Sequence, residues 1–249
     1  MAQEDIALCP REKFALPTPL SGCMPRNGRC VVTGIPYHIT QRGTNRQTIF
    51  HSAADRRTYL ALIRENLDDA GVRALAYCLM TNHVHWIVIP EREDSLAILF
   101  QRVHGRYAQA WNARRQRSGH VWQNRFFSCP LEDQHLWVAL RYVEQNPVRA
   151  LLVRRPEEWE WSSARAHLLG APDRARVLDR RFWERSGGVE TWSAMHQAAE
   201  DGPATRLLRR CTYAGRPFGN EEFLARMEAR FGRNWRRWGF EKAASAQIA

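Results

Sequence analysis

His83-Val84-His85 opens an apolar run, Trp86-Ile87-Val88-Ile89, that stops at Pro90. Alternate side chains of a β-strand share a face, so the two imidazoles project together and can grip one metal ion. Among nine histidines this spacing alone is a weak signal. A second pair gives it weight. Tyr142 and Asn146 stand four residues apart in a helical segment closed by Pro147, which sets a phenol and an amide oxygen on one helix face. The two pairs facing each other would form a site for cutting a phosphodiester with tyrosine as nucleophile. Phosphoryl transfer needs an in-line nucleophile, neutralised oxygens and correct placement. A divalent metal on His83 and His85 supplies the Lewis acid, and Asn146 can complete its shell. Tyr142 attacks phosphorus and holds one strand end as a phosphotyrosine. That ester keeps the bond energy, which favours strand transfer over hydrolysis. A phenol of ordinary pKa, about 10, needs help to attack at neutral pH, from the metal or from a neighbour such as Arg141 or Arg149.

The elements that must position these groups read as follows. Residues 34 to 41 form a strand, in which His38 is read as a structural histidine, and residues 42 to 46 a basic turn whose Arg42, Asn45 and Arg46 are candidate DNA contacts. Leu60, Ile63 and Leu67 mark a helix over 53 to 70 that Gly71 stops. A strand over 72 to 79 and the histidine strand, 83 to 89, pair as a hairpin through Met80-Thr81-Asn82. Leu96, Leu99, Phe100, Val103, Tyr107 and Trp111 stripe a second helix, about 95 to 115, whose polar face carries Arg102 and Arg106 as further DNA-binding candidates. Residues 121 to 128 read as a strand, and 132 to 146 as a third helix ended by Pro147. The order fits an α+β fold: a ferredoxin or RRM-like split βαβ antiparallel sheet with helices on one face, plus a small helical C-terminal region. Residues 1–23 read as a loose extension, 24–170 as the main domain and 174–249 as a basic helical region. In the last of these Asn220 caps a helix that Gly232 ends.

Composition narrows the partner. A formal charge of +11 and nine arginines against three glutamates between Arg206 and Arg237 favour a polyanion. Only Lys13 and Lys242 are lysines, and arginine suits bidentate phosphate contact. A GC-rich coding sequence gives the same bias. Six cysteines without a CxxC pair argue against a zinc finger or a disulfide framework and for a reducing cytoplasm. No signal-peptide pattern and no run of apolar residues long enough for a membrane span are present.

The segments 34–43, Thr81-Asn82-His83-Val84-His85 and 142–150 together resemble the REP-associated tyrosine transposases, within the His-hydrophobe-His endonuclease superfamily. The resemblance covers about residues 24 to 170. It implies Mg or Mn on His83 and His85 with Asn146 as third ligand, although imidazole by itself favours softer metals such as Zn. It implies that Tyr142 forms a 5′-phosphotyrosine, with single-stranded, hairpin-forming DNA of the REP type as substrate. The expected enzyme is a monomer or homodimer at the cytoplasmic nucleoid, with Arg149 and Arg216 among its DNA contacts. Two other classes compete: a non-catalytic nucleic-acid-binding regulator on the same sheet, and a zinc hydrolase of small phosphoesters, which the basic charge and the missing third ligand disfavour.

Overall fold

The computed structural model describes residues 31–198 and 202–235. The expected N-terminal extension therefore lies outside the described residues. Four strands, β1 (Tyr37–Arg42), β2 (Val72–Leu79), β3 (His83–Pro90) and β4 (Phe127–Pro130), form one sheet in the order β2-β3-β1-β4. Every pairing is antiparallel. Two crossover helices, α1 (Ala53–Ala70) and α2 (Ser95–Arg114), make the split βαβ pattern that the sequence predicts.

Local chemistry sets these boundaries. Ser52 and Asp55 form a reciprocal capping box at the start of α1, and Gly71 ends it at φ 59°. That left-handed backbone is what demands glycine, since the nearest group to an added Cβ, the Arg92 guanidinium at 2.7 Å, ends a flexible side chain that can move aside. The β2–β3 connection is pinned from outside, because Gly43 N–H donates to the Asn82 carbonyl at 2.9 Å and Ile49 N–H to the Thr81 carbonyl at 3.0 Å.

The pleat of β3 divides the core in two. Val84, Trp86 and Val88 pack with α1 and α2, while Ile87 and Ile89 pack with later helices. Those are α3 (Asp133–Glu144), α7 (Gly188–Gln197) and α8 (Gly202–Ala214), which cover the second face. One-faced packing thus describes the crossover helices alone. Because β3 is buried on both sides, each of its large side chains contributes roughly 1.5–3 kcal/mol, and the strand reads as a continuous apolar run.

Three details differ from the sequence pattern. The strand expected at 121–128 is displaced to Phe127–Pro130, leaving Trp122 with a single bridge to Gly43. Trp122 is drawn toward α2 instead, where its Nε1 donates to the His104 carbonyl at 2.9 Å. Pro147 follows the end of α3 but also sits in the first turn of a short α4 (Asn146–Arg149), where a missing N–H costs nothing. After α5 (Ala164–Leu169) and α6 (Arg180–Arg185), the described C-terminal part is helical, ending in α9 (Glu221–Phe231), capped by Asn220 and stopped by Gly232. Its Phe223 and Met227 join the first-face core.

Candidate active site

The ladder between β1 and β3 places Arg42 opposite His83, Thr40 opposite His85 and His38 opposite Ile87. All of these side chains share the second face. The His83 and His85 rings lie 4.9 Å apart between centroids, near perpendicular. On α3, Tyr142 sets its ring 5.5 Å from that of His85 and 5.6 Å from that of His38, all centroid distances. The phenol and the imidazole pair therefore meet within one chain. Arg149, from α4, stacks its guanidinium 4.3 Å from the centre of the Tyr142 ring and bonds the Tyr142 carbonyl. α8 closes the site: Thr212 Oγ1 lies 2.8 Å from His38 Nδ1, and Tyr213 holds its hydroxyl 2.9 Å from the Arg42 guanidinium.

Burial governs the electrostatics. Desolvation, helped by the Arg42 and Arg209 guanidiniums, holds the His83 imidazole down at about 4. His38 falls to about 3 through burial. His85 is pushed well below the ordinary imidazole range by burial and then by its two histidine neighbours. All three rings are neutral at physiological pH. Burial raises the Tyr142 phenol, while Arg149, Arg209 and more weakly Asn146 pull it back toward the ionised form.

Two neutral imidazoles suit a divalent cation. Each turns its Nδ1 to a protein partner and leaves Nε2 without one among the described residues. Asn146 stands within hydrogen-bonding reach of the Tyr142 phenol. Among the described residues no three His, Cys, Asp or Glu side chains cluster in a way that could hold a metal.

The remaining candidates scatter. Arg42 is at the site. Asn45 and Arg46 form a left-handed turn beside it, at φ 50° and 59°. Arg102 and Arg106 belong to α2, on the opposite face of the sheet, and pair with Asp69 and Glu65 of α1 at 3.2 and 3.1 Å. Arg141 turns away to the Ala198 carbonyl, so Arg149 is the nearby cation. Arg216 is half-buried after α8, its backbone N–H on the Cys211 carbonyl. Sequence reasoning missed Asn82, Arg209, Thr212 and Tyr213. For the last three, the only signal was their spacing along one helix, which named no partner.

Comparison with known proteins bears on the fold. A solved REP-associated tyrosine transposase bound to a REP hairpin shares the fold at a TM-score of 0.50 and 19% identity, covering 59% of this chain and 86% of that one. A Deinococcus radiodurans R1 protein assigned as a transposase aligns at a TM-score of 0.34 and 16% identity, over 49% of this chain and 97% of its own. No curated protein matches the chain significantly. Among the described residues no helix is long and apolar enough to cross a membrane. Residues 31–146, which carry the sheet, both histidines of β3 and Tyr142, match the model of the IS200-like transposases.

Proposed function

We propose that the chain is a metal-dependent endonuclease and strand-transferase acting on single-stranded, hairpin-forming DNA, through a covalent 5′-phosphotyrosine on Tyr142. The observation that carries this reading is the 5.5 Å ring separation between Tyr142 and His85 within a single chain. The Tyr142 oxygen forms a bond to phosphorus, the bond from phosphorus to the 3′ oxygen breaks, the phenol proton is lost, and the departing 3′ oxygen gains one. Reversal by a 3′ hydroxyl reseals or transfers the strand without an external energy source. Arg149 and Arg209 stabilise the phenolate and the charge on the phosphate. Arg42 and the exposed Tyr213 bind the strand beside the histidines. A divalent cation, Mg or Mn, held by His83, His85 and Asn146, supplies Lewis-acid stabilisation when bound.

The test uses a labelled single strand bearing a hairpin. Wild-type protein with Mn²⁺ should give a denaturation-resistant protein–DNA adduct, and EDTA should abolish it while binding persists. Tyr142→Phe should bind DNA and form no adduct. An adduct surviving in that variant would show a different nucleophile, and binding without any wild-type adduct would identify a non-catalytic DNA-binding regulator.

A further inference from the structure

Two hydrogen-bond chains lead from the histidines of β3 to backbone carbonyls, and a carbonyl can only accept. Thr212 Oγ1 contacts the Leu208 carbonyl at 2.8 Å, so its single proton is committed there. The 2.8 Å contact between Thr212 Oγ1 and His38 Nδ1 must then be donated by the imidazole. A neutral His38 has no second proton, so its Nε2 accepts, and the donor at 2.9 Å is His85 Nδ1. The rings of His38 and His85 are within 10° of parallel with centroids 5.1 Å apart, a spacing that suits a bond in the ring plane. His85 is left with its lone pair on Nε2.

The second chain is independent. Asn82 Nδ2 donates to the Arg46 carbonyl at 3.1 Å, which fixes the amide so that its oxygen faces His83. His83 Nδ1, 2.7 Å from that oxygen, must carry the proton, and its lone pair is also on Nε2. The accepting carbonyl belongs to the second of two successive non-glycine residues at positive φ, Asn45 and Arg46. For Arg46, a residue with a long side chain, this left-handed backbone is a strain that persists only where surrounding structure enforces it.

We propose that His38 with Thr212, and Asn82 with the Arg46 carbonyl, are two separate positioning relays that lock His85 and His83 in the same Nδ1-protonated tautomer, so that both Nε2 lone pairs are presented to one divalent cation. The inference rests on the metal reading above. Partners of this kind fix ring orientation and tautomer, and losing one typically costs 10- to 100-fold in metal affinity.

The experiment reads histidine tautomers by ¹⁵N NMR on the metal-free full-length chain and Mn²⁺ affinity by calorimetry. In the wild type both His83 and His85 should show a protonated Nδ1 and an unprotonated Nε2. Thr212→Val should disturb His85 alone, Asn82→Ala should disturb His83 alone, and each should weaken Mn²⁺ binding by about 10- to 100-fold. Thr212→Ser, which keeps the hydroxyl, should restore both readouts. A wild-type His83 or His85 protonated on Nε2 overturns the proposal without any variant. So does Mn²⁺ binding that is unchanged in both Thr212→Val and Asn82→Ala. Tautomers as described in a wild type that binds no Mn²⁺ would support the relays and remove the metal reading.

Discussion

Arg149 sits over the ring of Tyr142, its guanidinium carbon 4.3 Å from the ring centre, while a nitrogen of the same group bonds the Tyr142 carbonyl. One side chain thereby ties α4 to α3 and puts positive charge against the phenol. Arg149→Ala should slow single-turnover adduct formation about 10²-fold, the usual cost of losing a preorganised charge at a reacting oxygen. Arg149→Lys keeps the charge without the planar contact and should fall between the two. Equal rates in all three proteins would remove Arg149 from the chemistry.

Tyr213 is 42% exposed, braced by Phe127 at a ring distance of 5.1 Å and by the Arg42 guanidinium. An exposed ring at the rim of the proposed site suits an unpaired base, and such stacking is worth about 1–3 kcal/mol per base. Tyr213→Ala should therefore weaken single-strand binding roughly 10- to 100-fold in fluorescence anisotropy and leave duplex binding unaltered, whereas Tyr213→Trp should hold the affinity. A uniform loss on both substrates would point to damaged folding rather than stacking.

Glu144, two residues from Tyr142 but directed into the core, is fully buried and receives His167 Nδ1 at 2.5 Å, Ser163 Oγ at 2.6 Å and His196 Nε2 at 2.9 Å. It knots α3 to α5 and α7. Removing the carboxylate strands three polar partners, so Glu144→Ala should lower unfolding stability by about 3–5 kcal/mol in urea titration.

The same carboxylate predicts a response to acid. Burial by itself would push Glu144 up, yet His167, together with His196, holds it down at about 2 against an ordinary 4.5. A depressed carboxyl contributes stability above its unfolded value and loses it as pH falls through the folded one. The wild type should thus lose this contribution between about pH 4.5 and pH 2, and Glu144→Gln should show a flatter stability profile in that window. Parallel acid profiles for the two proteins would refute the assignment.

Much of the site was legible because it obeys short periods. A two-residue period put both histidines on one face of β3; the four-residue spacing of Tyr142 and Asn146 also holds, although α3 ends at Glu144 and Asn146 opens α4 instead of closing the same helix. What the chain order hid is tertiary. Thr212 reaches His38 across 174 residues, and no local pattern announces such a contact. Arg102 and Arg106 looked like a DNA-facing stripe because α1, which supplies their acidic partners, is a separate element whose docking is not written in their own spacing. The helices of the second layer were legible as helices, but their docking on the second face was not, for the same reason.

The roof over the second face of the sheet is laid last during synthesis. Ile87, Cys129 and Leu140 are sealed in part by Leu208, Cys211 and Phe218, all far downstream of the final motif segment, 142–150. A nascent or clipped polypeptide can hold both histidines and the tyrosine and still present an open greasy surface with an unfinished cleft. Closure of this cleft thus waits on the last described helices, long after the residues that line its floor have been made.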